Sequence, residues 1–476
     1  MRFRLPAVLS ALLIASCSKP VQLPVHQFNV PAPEIWQGAA TDPVVPDSDW
    51  WAHLDDAGLG SAIRKALDCS QSLRAAAARI EIAAQERLIV GASDWPEISI
   101  GVARARQRQN FVGLPFPGLS DRVLKSTYST AGLTFNIAWE ADLWNRLSSQ
   151  KLAADAGIAA SEADRLAVRL SLSGQVAKAW FAAVEAHGQV EAARAVAEHL
   201  KAVAEWTRDH YRHGSRSLVD VRVAESDIER AESAVREQER ARDLFVRQVE
   251  VLACEYPAGE RVPGAELPGL PPPVPAGLPS ELVERRPDLL AAGQALLGAD
   301  ARIVQARAAL RPSFALTTAA GSASNKLLDL VNPNLQAWNY ALGLAQPIFN
   351  RGRLKANVRA TEARAREAAA NYESLLWNAY LEVESALASE ETFRNQQSAL
   401  RDSQRTTRQA IELAEQRFAA GIGDIFSILA LQRSVLETES ALLALQRARI
   451  DNRVDLHLAL GGSFEDSPSF QPGRPP

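Results

Sequence analysis

The sequence predicts a mainly α-helical chain with a membrane β component, duplicated internally so that each half carries two strands and one long helical hairpin. Three observations predict it. No proline occurs between Ile348 and Ser467 and no glycine between Arg353 and Ala420, a helical run far longer than globular helices need. Four short segments alternate apolar and polar residues with period 2. Two stretches of the first half superpose on the second at nearly constant offset: Tyr211 on Phe418, Gly214 on Gly421, Leu218 on Ile425 and Arg146 on Arg353, all shifted by 207.

At 476 residues, 47% hydrophobic and 23% charged with a net charge of −4, the chain can bury a sizeable core and has no electrostatic reason to bind nucleic acid. Residues 1–16 read as a signal peptide: Arg2 and Arg4 precede an apolar run from Leu5 to Ala15, too short to span a bilayer. Only Cys69 and Cys254 remain beyond Cys17, too few for a disulfide framework or a zinc cluster; they read as small helix residues, with a disulfide between them in an oxidising compartment left open. Past residue 17 no apolar stretch reaches the length of a membrane helix, so any crossing must be a closed barrel.

The elements follow in order. Residues 17–48 form an extended, Pro-rich segment behind the leader. The first repeat, 49–254, places strands at about 98–106 and 127–139 and long helices at about 149–212 and 217–254. Its strands set Ile98, Ile100 and Val102, and Leu133, Phe135, Ile137 and Trp139, against small and polar neighbours. Upstream, "SLRAAAARIEIAAQERLIVGASDWP" matches "DLLAAGQALLGADARIVQARAALRP" with Pro96 on Pro312, a shift of 216. The extra nine residues fall in the loop "QRQNFVGLPFPGLSDRVLKS". Residues 255–280 are a Pro-rich linker. The second repeat, 281–462, has strands at about 313–320 and 336–346 and helices at about 353–420 and 424–461, before a tail at 463–476. A stripe of Val358, Ala365, Tyr372, Ala379, Ala386, Phe393 and Leu400 suits a neighbouring helix, and charges such as Glu382 and Glu390 read as a solvated face.

Strands of about ten residues match a tilted bilayer crossing. Four strands cannot close a barrel, and an open edge cannot face lipid, so several chains must share one. The paired helices then form a hollow cylinder that ends where Gly214 and Gly421 reverse the chain.

The sequence resembles outer-membrane efflux channels of the TolC/OprM type, in their lipoprotein branch. The resemblance rests on the lipobox "IASC" ending at Cys17, on "WWAHLDDAGLGSAI", "WEADLWNR", "ERRPDLLAAGQAL" and "QPIFNRGRL", and on the two Gly-marked tips. It implies acylation of Cys17, palmitate included, with Ser18 directing the lipoprotein to the outer membrane. It also implies a homotrimer whose twelve strands make one outer-membrane barrel and whose twelve helices make a periplasmic tunnel. The implied partners are a periplasmic adaptor, an RND-type inner-membrane pump and outer-membrane lipid, and the implied role is a passive duct for small molecules. Gly214, Ser217, Leu218, Gly421, Gly423 and Ile425 would form the tip that an adaptor grips. Tyr211, Arg216, Asp220, Asp424, Phe426 and Leu429 are the gate candidates. Ser427, Ala430 and Gly423 stand where the family pattern has two carboxylates and an arginine, so both an ionic latch through Asp220 and an apolar constriction stay open.

Nothing in the chain calls for catalysis, a cofactor or a metal. His210 and His213 share a helix face, but no Cys or third His accompanies them, and no Gly-rich phosphate loop follows a strand. Two other classes have to be weighed: a lipid-anchored adaptor, which would carry one hairpin between β-rich domains, and a lipid-anchored enzyme or helical scaffold. The duplication argues against both.

Overall fold

A computed structural model describes residues 21–26, 28, 30, 36–37, 50–54, 56–111, 124–261, 264, 266–270, 285–420, 422 and 425–462. Its helices are α1 (Ala57–Cys69), α2 (Gln71–Ala92), α3 (Arg146–Arg212), α4 (Leu218–Leu252), α5 (Pro287–Ala308), α6 (Arg353–Ala419) and α7 (Ile425–Ala459). Its strands are β1 (Glu97–Phe111), β2 (Leu124–Ala141), β3 (Ser313–Ser324) and β4 (Gln336–Ala345).

The duplication holds residue for residue in the helices. Helices α3 and α6 both have 67 residues, about 100 Å at 1.5 Å per residue, and α4 and α7 both have 35. It extends to the backbone: Asn145 (φ 59°) and Gly352 (φ 82°) share the left-handed conformation before the long helices, as do Cys254 (φ 55°) and Gly461 (φ 87°) after the returning ones. Each of the latter two closes its helix by paired hydrogen bonds: Cys254 N–H to Val251 O and Glu255 N–H to Glu250 O in one half, Gly461 N–H to Leu458 O and Gly462 N–H to His457 O in the other.

One compact unit comprises Arg79–Ser161 and Ala292–Asn371 with the N-terminal residues. It contains the antiparallel sheet, in the order β1-β2-β3-β4. Register aligns Ile100, Phe135, Ala320 and Trp338 across the four strands, and Ile98, Ile137, Thr318 and Tyr340 beside them. The opposite face carries Ser99, Asn136, Ala319 and Asn339. β1 and β2 run further than their alternation suggested, to Phe111 and from Leu124, so much of the expected loop is paired strand. The extension, "QRQNF" on β1 and "LKS" on β2, is mostly polar, so hydrophobic periodicity could not reveal it. Below the sheet, Asp142 accepts from the Ser148 amide (2.7 Å), and Arg146 makes a bidentate pair with Glu140.

The other unit comprises Phe28–Ala78, Glu162–Ala291 and Tyr372–Pro476. Its core gathers Trp50 and Leu54, Leu59 and Ile63 of α1, Val176, Phe181 and Val184 of α3, Val249 of α4 and Ile450 and Val454 of α7. "WWAHLDDAGLGSAI" supplies the plug: Asp56 caps α1 at the Leu59 amide (2.9 Å) and accepts from the Trp180 indole (2.8 Å). Helices α3 and α7 approach so closely that a β-carbon at Gly174 would fall 2.5 Å from Leu458 Cδ1. In "ERRPDLL", Arg286 is buried and binds Asp288, Glu382 and the Ala459 carbonyl.

The structure settles one open reading, the state of Cys69 and Cys254, and corrects three expectations. Cys69 and Cys254 form a disulfide, Cα atoms 6.2 Å apart, that joins the end of α1 to the end of α4. Glu390 is no solvated charge: it accepts from Arg449 (2.7 Å) and Arg453 (3.1 Å); Glu382 accepts from Arg286 (2.6 Å) but stays exposed, as expected of a solvated face. The described part of the linker is packed rather than loose. Buried Glu250 accepts from the amides of Gly259, Glu260 and Arg261, while Leu267 and Leu270 lie against the core. In the segment expected to be merely extended, Trp36 is buried edge-on to Tyr380. The stripe on α6 is covered as expected, with Ala365, Ala379 and Ala386 buried.

Candidate functional site

Two surfaces are the candidates for the chain's function, and each lies within one unit. The first is the tip of the hairpins. Helix α3 stops because Gly214 (φ 77°) turns left-handed, with Gly214 N–H to Tyr211 O and Ser215 N–H to His210 O, both 2.9 Å. Ser217 then caps α4 through a capping box with Asp220: the Asp220 amide donates to Ser217 Oγ (3.2 Å) and the Ser217 amide to Asp220 Oδ2 (3.0 Å). The bond from the Ser217 amide, with the Ser217 side chain and Arg216 beside it, holds the Asp220 carboxyl below its ordinary value. Further up, Glu225 is bound by Arg208 from α3 (3.0 Å) and Arg222 (2.8 Å), which likewise lower its carboxyl. The second tip repeats the reversal, with Ile422 N–H to Arg417 O at 3.1 Å.

The two tips meet in a cluster. The Arg216 guanidinium lies 4.4 Å from the Phe426 ring centroid and 5.6 Å from that of Trp206. Trp206 stacks on His210 at 3.8 Å and meets Phe418 and Phe426 edge-on at 6.4 and 6.5 Å. Of the gate candidates, the structure therefore brings Arg216 and Phe426 together. Asp220 serves the cap of its own helix, Leu429 is half-buried, and Tyr211 and Leu218 are exposed. Gly421, Gly423 and Asp424 lie outside the described residues, as does Cys17, and Ile425 is the first residue of α7. Glu225 was legible from the sequence as a charge that could bridge to the neighbouring hairpin, whereas here it binds Arg208 and Arg222 of its own hairpin. Trp206 and Phe418 were not legible as partners, although Trp206 and His210, four apart on one helix, were the available signal. His210 Nδ1 faces the Trp206 carbonyl (2.9 Å), and no group of three metal-binding side chains occurs among the described residues.

The second surface is the sheet. Its apolar face is exposed: Ile100, Trp338 and Leu342 are each 70% accessible. Such a face, large and aromatic-rich, is a surface for lipid or another chain. β1 and β4 are edges with unpaired backbone groups. Among the described residues no helix is long and apolar enough to cross a membrane.

A sheet apolar on one face and polar on the other, in one chain with two long helical hairpins, is the fold of the outer-membrane channels whose helices extend into the periplasm. The profile of the family described as "Outer membrane efflux protein" matches residues 62–251 and 278–462, and the chain belongs to that family. It is 30% identical to the outer membrane protein OprJ of Pseudomonas aeruginosa over 98% of this chain and 97% of that one. It is 29% identical to the pyoverdine export outer membrane protein OpmQ of Pseudomonas putida, covering 96% and 97%. The open-state structure of the Neisseria gonorrhoeae MtrE outer membrane channel superposes with a TM-score of 0.78 at 30% identity, covering 93% of this chain and 98% of that one. The chain is thus the outer-membrane channel of an efflux system and not an enzyme, an adaptor or a scaffold.

Proposed function

We propose that three copies of the chain share one twelve-stranded barrel and one helical tunnel, through which an inner-membrane pump of the RND type exports small molecules by way of a periplasmic adaptor. The observation that carries this is the sheet: its lipid-compatible face is flanked by β1 and β4, two open edges that a bilayer does not tolerate and that a neighbouring copy would pair. Cys17, acylated after removal of residues 1–16, adds an anchor in the same membrane. The tip around Gly214, Ser217, Leu218, Gly421, Gly423 and Ile425 is the adaptor's docking site, and the Arg216–Phe426–Trp206 cluster holds the two tips of one copy together as part of the gate. Relatives named for pyoverdine export, cation efflux and toluene efflux share the family, which supports a duct whose cargo is set by the pump.

Electron microscopy of the detergent-extracted full-length protein tests the assembly. Three-fold tubes with a detergent belt at one end are expected; compact single chains without a belt would overturn the shared barrel.

A further inference from the structure

The apolar face of the sheet stops abruptly on the β1–β2 hairpin. Side chains at even positions of β1 and odd positions of β2 share one face, because Ile98 opposes Ile137, Ile100 opposes Phe135 and Val102 opposes Leu133. Continuing along that face, the next three positions of β1 are Arg104, Arg106 and Arg108, opposite Ala131, Ser129 and Thr127, and Lys125 follows opposite Asn110. All four cations are exposed. None of them has an ion pair among the described residues, and no Asp or Glu lies on either strand between Val102 and Phe111 or between Leu124 and Leu133. In a chain of net charge −4, this is a concentrated basic strip.

Its place on the face gives its partner. The strip is on the side of the apolar band and not on the polar side, where Gln107 bonds Tyr128. It lies toward the hairpin turn, away from the ends of β1 and β2 that join the helices, and so toward the outer leaflet. Alternate residues are about 7 Å apart along a strand, or about 5 Å along the membrane normal at a tilt near 40°. Arg104 and Arg106 therefore stand about 5 and 10 Å above the last apolar pair, at headgroup depth. A guanidinium there meets phosphate in bidentate geometry, and a row of them spans more than one phosphate.

We propose that Arg104, Arg106 and Arg108, with Lys125 beside them, form a binding site for the phosphate groups of a phosphorylated glycolipid of the outer leaflet. The proposal rests on the reading that the apolar face meets lipid.

Native mass spectrometry of the purified full-length protein tests both separately. The protein is loaded with diphosphoryl lipid A or with its dephosphorylated form and then exchanged into fresh detergent. A trimer mass that retains the diphosphoryl lipid at least about tenfold better is expected, with the preference lost in the triple variant R104Q/R106Q/R108Q and only partly kept in R104K/R106K/R108K, which keeps the charge without the bidentate fork. A trimer in which the wild-type chain retains both lipids equally overturns the site while leaving the barrel intact, without need of a variant. Undiminished retention in the Gln variant overturns it too, as does displacement of the lipid by millimolar inorganic phosphate, which would make the strip a general anion site. A monomeric mass overturns the barrel reading itself.

Discussion

Arg216→Ala removes a guanidinium seated 4.4 Å from the Phe426 centroid and 5.6 Å from that of Trp206. The contact ties the first hairpin's tip, between α3 and α4, to the first turn of α7. On the proposed gate reading, widening the tunnel mouth by separating the two tips breaks it. A cation over an aromatic ring is worth about 0.5–1 kcal/mol when exposed and about 2 when desolvated; Arg216 is half-buried, so about 1 kcal/mol applies. In the proposed three-fold assembly the variant loses three such contacts, about 3 kcal/mol, which shifts the open-to-closed ratio on the order of 100-fold. Arg216→Lys keeps the charge without the planar stacking and should fall between. Single-channel recording in planar bilayers reads the open probability directly, and susceptibility of cells to vancomycin reads it in vivo. A well-assembled Arg216→Ala channel with wild-type open probability and no added leakage would refute the clamp.

Three further outcomes follow from the helical unit. Maleimide labelling should find both thiols of Cys69 and Cys254 blocked until reduction, and breaking their bond should cost about 2–4 kcal/mol in thermal unfolding; because Cys254 has φ 55°, pairing Cys69→Ser with Cys254→Gly should lose about 1 kcal/mol less than pairing it with Cys254→Ser. Gly174→Leu drives a side chain into Leu458, 2.5 Å from the first added carbon, and should lower stability by about 1–3 kcal/mol or abolish assembly, read as loss of the heat-stable oligomer on gels. Burial, with His53 and Arg453 nearby, pulls His457 down to about 4, so the unfolded chain takes up its proton first and stability falls as pH drops from about 6.5 toward 4. Burial pushes Asp451 up to about 6, so that group acts in the opposite sense over the same range. His457→Gln should therefore spare about 2 kcal/mol of the loss between pH 7 and 5, checked by melting at both values, and an unchanged pH slope would refute the assignment.

The repeated architecture was legible because its causes are local. Period-2 alternation set the strand faces, a long run without Pro set α3 and one without Pro or Gly set α6, and glycine's freedom at positive φ set the reversal at Gly214. Duplication made each half a check on the other, and the helices obey the same offset to the residue. Where polar residues alternate with polar residues, as from Gln107 to Phe111, the pattern loses contrast and only the ladder to β2 defines the strand. The candidate site was legible in part: Arg216 and Phe426 could be named but not paired, because they are 210 positions apart and only packing joins them. The same holds for Cys69 and Cys254, 185 residues apart, and for Glu390 between Arg449 and Arg453. Asp220 shows the converse. As a bare carboxylate it could serve a latch, and only the backbone conformation around Ser217 made it the partner in a helix cap. The sequence alone determined what each segment can be, since backbone propensity and facing depend on near neighbours. The tertiary structure decided which side chains meet, since contacts between distant segments depend on how whole helices and strands pack.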